Sequence, residues 1–375
     1  FYKSILVLKK AIYFIKLIIF LVTFLISVGI NMDKKLRIAV VGCGRISKNH
    51  FGSIEQLSHE YELVAICDND PEVLEAHRKQ YGVPAYQSFD EMLINEKLDL
   101  VTLCTPSGIH ANQTIKAAKA GVHVITEKPM ATKWEDGLAM VRACDEAGVR
   151  LFVVKQNRRN STLQLLKRAT TEKRFGKIHM VHMNVFWTRP QEYYDRAVWS
   201  GTWDMDGGAF MNQATHYVDL LHWLIGPVEK VHSMLSTHRD IEVEDTGVVN
   251  LKWRNGALGS MAVTMCTYPK NLEGSITILG EKGTVRIGGV AVNDIQEWSF
   301  AEPKDYDVEI AAANYQTTSV YGFGHPPYFQ NVADVLRGKA EPETDGREGL
   351  KSLELLISIY RSARDNKEIG LPLNV

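Results

Sequence analysis

A chain of 375 residues is long enough to build two domains with separate cores. With 45% hydrophobic residues, 23% charged residues and a net charge of −1, it lacks the basic excess of a nucleic-acid binder and the acidic run of a disordered tail. The five cysteines (Cys43, Cys67, Cys104, Cys144, Cys266) show no C-x-x-C spacing. This speaks against a structural zinc site and for a reducing, cytoplasmic setting, and no metal is expected.

Residues 1–31 begin with Phe and carry the apolar run Leu17–Ile30 behind Lys3, Lys9, Lys10 and Lys16. That pattern reads either as a hydrophobic anchor or as sequence upstream of a true start at Met32. The second is the expectation, because Met32 stands directly before the first strand. A membrane role is therefore not expected.

From residue 32 to 155, β-forming apolar runs alternate with helical patterns. The strands are expected at Leu36–Val41, Leu63–Cys67, Leu98–Cys104, Val122–Thr126 and Leu151–Val154, with helices at Asp70–Tyr81, His110–Ala120 and Lys133–Ala147. Such alternation predicts an α/β domain with a doubly wound parallel sheet of Rossmann type. From 156 to 375 the strand-like runs become long and adjacent: Lys177–Thr188, Val228–Thr237, Thr246–Trp253, Ala257–Tyr268, Glu273–Leu279 and Gly283–Ile287. They predict an α+β domain with a mostly antiparallel sheet. One helix over Gln213–Leu224 interrupts it, Gly280-Glu281-Lys282-Gly283 forms a hairpin turn, and Arg347–Asn366 forms an amphipathic helix.

The first strand runs into Gly42-Cys43-Gly44-Arg45-Ile46-Ser47, and the second ends on Asp68. Strand, glycine turn, helix, strand and acid form a dinucleotide-binding unit. Gly42 permits the tight turn, and Gly44 lets backbone N–H groups approach a pyrophosphate. Asp68 accepts hydrogen bonds from ribose hydroxyls and repels a 2′-phosphate, so NAD is favoured over NADP. Ser47 replaces the usual third Gly or Ala.

Two loops leave the carboxyl ends of later strands: Thr105-Pro106 through His110, and Thr126-Glu127-Lys128-Pro129. Lys128 there is placed to meet a substrate hydroxyl, although most loop lysines are only solvated charges. A second cluster, Gly207-Gly208 through Asp219, carries Asn212 and His216 four residues apart, on one face if helical. A histidine beside a substrate alcohol is a natural general base. His222, on another face, reads as packing or surface.

Together the glycine turn, the Thr105-Pro106 loop, Glu127-Lys128-Pro129 and the His216 helix resemble the glucose–fructose oxidoreductase/inositol dehydrogenase (Gfo/Idh/MocA) family, over Met32 to Val375. The resemblance implies that Lys128 and His216 are catalytic. It implies cofactor contacts at Gly42, Gly44, Arg45, Ile46, Asp68, Thr105, Pro106, His110, Glu127, Lys128 and Gln156. Many members carry Asp where this chain has Asn212. The strings Lys155–Asn160, Phe186–Tyr194, Thr267–Gly274 and Tyr321–Pro326 resemble the branch acting on UDP-N-acetyl-glucosaminuronic acid (UDP-GlcNAcA). That branch implies NAD-dependent oxidation of the sugar C3 hydroxyl in bacterial surface-polysaccharide biosynthesis. It also implies a homotetramer and, in some members, recycling of the cofactor by 2-oxoglutarate. A diphosphate and a carboxylate need cationic and amide donors, so Asn157, Arg158, Arg159, Arg189, Asn212 and Lys270 are candidates. Tyr193, Tyr194, Tyr268 and Tyr321 offer flat surfaces for uracil or sugar. A free polyol substrate and a non-catalytic NAD-sensing regulator are the competing readings.

Overall fold

Apolar runs buried on both faces dictate the first sheet. In the computed structural model, which describes residues 34–317 and 323–373, Ile38, Ala39 and Val40 are fully buried. Residues 1–31 and Tyr321 lie outside the described residues.

The chain runs β1 (Leu36–Val41), α1 (Ser47–Gln56), β2 (Tyr61–Cys67), α2 (Pro71–Tyr81), β3 (Ala85–Tyr86), α3 (Phe89–Asn95), β4 (Leu100–Leu103), α4 (His110–Lys119), β5 (His123–Thr126), α5 (Trp134–Ala147) and β6 (Leu151–Val153). The six strands are parallel in the order β3-β2-β1-β4-β5-β6. The order reverses between β1 and β4, and a crevice opens there at the carboxyl ends of the strands. Asp70 caps α2 by accepting from the Glu72 and Val73 N–H groups, and Gly82 ends it in the left-handed region.

The second half supplies α6 (Ser161–Thr171), β7 (Ile178–Phe186), α7 (Thr215–Leu220), β8 (Val228–Ser236), β9 (Thr246–Trp253), β10 (Leu258–Thr264), β11 (Glu273–Gly280), β12 (Gly283–Gly288), β13 (Asp294–Phe300), α8 (His325–Leu336), α9 (Gly346–Asp365) and β14 (Ile369–Gly370). Its eight strands follow the order β13-β12-β11-β7-β10-β9-β8-β14, antiparallel except where β10 lies parallel to β7. Period-2 alternation buries Val249, Leu251 and Trp253 while Val248 and Asn250 face outward. The amphipathic α9 covers the inner face, its start capped by the Asp345 carboxylate accepting from Glu348 N–H. α9 also reaches α5, where a Cβ on Gly137 would stand 2.4 Å from Leu353 Cδ2.

Two features depart from the sequence reading. The helix expected over Gln213–Leu224 starts at Thr215 and widens into a π turn over Leu221–Ile225. Asn212 therefore lies in the preceding turn, not on a shared helical face with His216. The second departure is α8. It packs back on α1, joining Phe329 and Val332 to the cluster of Phe51, Ile54 and Tyr61. Tyr61 donates to the Phe329 carbonyl at 2.6 Å. The 325–336 segment thus closes on the first sheet despite its late position. No helix among the described residues is long and apolar enough to cross a membrane.

Candidate active site

A cleft of about 720 Å³ opens at the β1/β4 switch point. Its walls come from the glycine turn, Asp68, the Thr105-Pro106 loop, Glu127 and Lys128 on one side, and from Tyr193, Asp206 and Asn212 on the other.

Gly42 sits at φ +85°, and a Cβ there would stand 2.8 Å from the Cys104 carbonyl carbon and the Thr105 nitrogen. Only glycine fits. A Cβ at Gly44 would meet nothing described within 4 Å, so backbone N–H groups remain open to the cleft. Ile46 precedes helix α1 at its N-cap position with no side-chain cap, which leaves the first N–H groups of the helix for an anion. Ser47, at the third fingerprint position, is fully buried and donates to the Gly44 carbonyl at 2.7 Å. Asp68 accepts from Cys43 N–H at 2.6 Å and from Asp70 N–H at 2.9 Å, which fixes its carboxylate on the cleft wall. An open glycine turn, an uncapped helix start and a fixed acid suit a dinucleotide with free ribose hydroxyls.

The two loops beside this turn are tied together by His110. Its ring nitrogens lie 3.0 Å from the Pro129 carbonyl and 2.9 Å from the Thr105 carbonyl. Burial lowers its pKa, so the ring is neutral and donates to one of them. His110 is buried behind the loops rather than on the cleft wall.

Lys128 is half-buried at the cleft floor, its Nζ donating to the Asn212 carbonyl at 3.2 Å. Burial depresses its pKa, while the charges of Glu127, Tyr193 and Asp206 pull the other way. Asn212 Nδ2 donates to Asp206 Oδ1, and Gly201 N–H donates to Asp206 Oδ2 at 2.8 Å. Asp206 is a site residue the sequence reading missed; its only signal is an acid directly before Gly207-Gly208. It supplies the carboxylate that Asn212 lacks, and burial raises its pKa. Arg196 and Trp199 also line the cleft and were likewise missed.

His216 is 7% exposed and lies behind the cleft wall. Gln156 Nε2 stands 2.9 Å from its Nε2, and its Nδ1 has no partner among the described residues. Burial, then the charges of Lys128 and Lys155, hold its pKa well below the usual imidazole value. A neutral imidazole is what a proton acceptor requires. Asn157 is buried beside Gln156, its Oδ1 without a described partner.

At the mouth, Arg45 Nη2 donates to the Tyr193 hydroxyl at 3.3 Å, and the Arg45 and Arg189 guanidinium carbons lie 5.4 and 5.3 Å from the Tyr193 ring centre. Burial pushes the Tyr193 phenol up, but the Arg45 hydrogen bond and both cations outweigh it and hold the pKa below the usual value.

Arg158 is a correction. Its guanidinium gives two hydrogen bonds of 2.7 Å to Asp219 and one of 3.0 Å to Glu348, and it is buried away from the cleft. A cation already matched by two carboxylates is not free for a diphosphate. Tyr268 and Lys270 are exposed on the β10–β11 connection and do not line the cleft either. Arg159 pairs with Glu343 at 2.5 Å, and Tyr194 is buried.

Comparison with known proteins agrees with this geometry. Residues 36–155 match the oxidoreductase family's NAD-binding Rossmann fold, and residues 167–371 match its C-terminal alpha/beta domain. The chain belongs to the Gfo/Idh/MocA oxidoreductase family and is an NAD-dependent enzyme. More particularly, it is similar to the WlbA dehydrogenase from Bordetella pertussis, solved in complex with NADH and UDP-GlcNAcA. The two are 64% identical over 91% of this chain and 99% of that one, with a TM-score of 0.89. The WlbA dehydrogenase from Chromobacterium violaceum, solved with the same two ligands, is 62% identical over 92% and 98% of the chains, with a TM-score of 0.88. Myo-inositol 2-dehydrogenase from Thermotoga maritima is more distant, 29% identical over 67% of this chain and 74% of its own length.

Proposed function

We propose that this enzyme oxidises the C3 hydroxyl of UDP-GlcNAcA to the 3-keto sugar, reducing NAD⁺ to NADH. The observation that carries the reading is the 64% identity, across nearly the whole chain, to a dehydrogenase solved with NADH and UDP-GlcNAcA. Lys128 at the cleft floor, with the neutral His216 buried behind the adjoining wall, supports it chemically.

When bound, NAD⁺ supplies the hydride acceptor for the C3 carbon. His216, neutral because it is buried between cations, takes the hydroxyl proton. Lys128 donates a hydrogen bond to the oxygen as charge develops on it. The Asn212–Asp206 pair holds the floor on which Lys128 rests. Arg45 and Tyr193 on the cleft wall are the groups assigned to the diphosphate and uracil, with Arg189 set against the Tyr193 ring outside the cleft lining.

The same reading makes the enzyme cytoplasmic, where nucleotide sugars are built, and a step toward bacterial surface polysaccharides. A homotetramer is proposed with it. Met234 and Val248, paired across β8 and β9 on the outer face of the second sheet, are 60% and 44% exposed, apolar surface that self-association would cover. Recycling of NADH by 2-oxoglutarate is part of the proposal.

The test gives the protein NAD⁺ and UDP-GlcNAcA, with and without 2-oxoglutarate, and follows both NADH absorbance and sugar mass. Loss of two hydrogens from the sugar nucleotide is the expected result. The distant inositol dehydrogenase relative marks the second reading. Turnover of myo-inositol, with none of UDP-GlcNAcA, would transfer the assignment to a free polyol.

A further inference from the structure

Three buried side chains from three distant parts of the chain converge beside Lys128. His50 comes from α1, Glu127 from the loop after β5, and His325 from the first residue of α8; they are 0%, 4% and 3% exposed. His50 Nε2 lies 2.8 Å from Glu127 Oε1, and His325 Nε2 lies 3.6 Å from the same oxygen. The other His50 nitrogen, Nδ1, stands 2.8 Å from Thr102 Oγ1, which fixes the ring. The second Glu127 oxygen, Oε2, accepts from Lys128 N–H at 3.1 Å. The two imidazoles pack edge to face at 5.5 Å, and Phe329 closes against His50 at 5.4 Å. The string containing His325 was singled out in the sequence, and the proposed chemistry leaves its histidine unused.

We propose that Glu127 is a positioning residue, clamped by His50 and His325 so that its carboxylate charge balances the Lys128 ammonium and keeps it protonated during turnover. The clamp ties the catalytic loop of the first domain to a helix that arrives from the end of the chain. The inference rests on the reading of Lys128 as the group that meets the sugar oxygen.

A buried carboxylate is costly unless charge-assisted donors hold it. Here burial pushes the Glu127 pKa up, but the His50 hydrogen bond and the His325 ring 3.6 Å away outweigh it and hold the pKa well below the usual carboxylate value. Burial lowers the His50 pKa, so that ring is a neutral donor. The charged and titratable groups around Lys128 are Glu127, Tyr193, Asp206, Arg45, His110, Lys155 and His216; those around Glu127 also include Cys104 and Tyr328. Of the anionic groups, Glu127 has the largest effect on Lys128.

The experiment needs no substrate. Acetylation of Lys128 by acetic anhydride, followed against pH by peptide mass spectrometry, titrates its amine in the wild type and in Glu127→Gln. Removing the carboxylate charge makes Lys128 lose its proton at lower pH. The midpoint should fall by about one unit, which is roughly a tenfold faster acetylation on the rising limb. His325→Leu should shift it in the same direction by less, and it carries the test if Glu127→Gln fails to fold. An unmoved midpoint with a lower Tm would make the cluster purely structural and overturn the clamp. One equivalent of divalent metal in the purified protein, lost in His325→Leu, would overturn it in favour of a metal site. If the wild type leaves UDP-GlcNAcA unchanged while the midpoint still shifts, the substrate reading fails and the clamp stands.

Discussion

Two lysines, one buried and one half-buried, lie within the same half of this enzyme, and their surroundings differ. Lys155, 3% exposed, donates to Ser352 Oγ at 2.6 Å and lies 3.6 Å from Asp219. Asp219 is held in turn by two Arg158 hydrogen bonds, and Arg158 reaches Glu348. Lys128 has one backbone carbonyl at 3.2 Å. Burial lowers both pKa values. A cation whose hydrogen bonds all go into a closed ion network is committed to the fold, whereas an ammonium at a cleft floor that spends one hydrogen bond on a backbone carbonyl keeps donors for a ligand. Proximity to the site does not separate the two roles; completeness of partners does.

The sharpest way to break this contrast is to remove each group in turn. His216→Asn and Lys128→Met should each lower kcat by about 10²- to 10⁴-fold, with NAD binding retained in a fluorescence titration. Near-normal turnover in either variant would end its catalytic assignment. Asp219→Ala should do the reverse. It leaves buried Lys155 without its carboxylate and Arg158 with Glu348 alone, and should cost about 3–5 kcal/mol of stability in denaturant unfolding. A variant with unchanged stability would show that the network is not structural.

A third buried charge sharpens the comparison through pH. Glu244 accepts from Phe210 N–H and from the Tyr360 hydroxyl, both at 2.9 Å, and burial raises its carboxyl to about 7. Its pKa is higher folded than unfolded, so its contribution is fully present below about 4.5 and is lost as pH rises through about 7. Glu244→Gln should therefore flatten the stability decline between those values, a gain of roughly 1–3 kcal/mol at the alkaline end. Parallel pH profiles for variant and wild type would contradict this. The smallest effect is expected at Asp68, outside the buried charges. Asp68→Ala should narrow the preference for NAD over NADP by about tenfold, measured as the ratio of kcat/KM values.

Much of the fold was legible because burial leaves a periodic trace. β1, from Leu36 to Val41, has the expected bounds, and α2 and α5 each begin one residue late, after Asp70 and Lys133. Helix α8 was not read, because its apolar face is matched to α1 rather than to a neighbour in sequence. The parallel pairing of β7 with β10 leaves no local signature either. In the site, Gly42 could be read locally because a strand that must turn sharply needs a residue without Cβ. Arg158 could not be, because a guanidinium looks the same in sequence whether it faces a phosphate or a carboxylate.

The sequence by itself therefore determined the two domain types, the glycine turn with its acid, the loop that carries Lys128 and the helix that carries His216, since each depends on short-range periodicity and turn chemistry. The tertiary structure alone decided which charges are spent inside the protein and which face the cleft. It put Asp206 beside Asn212, matched Arg158 to Asp219 and Glu348, and brought His325 to Glu127. Those partnerships are set by distance in space, across separations from six to nearly two hundred residues, and no local pattern encodes them.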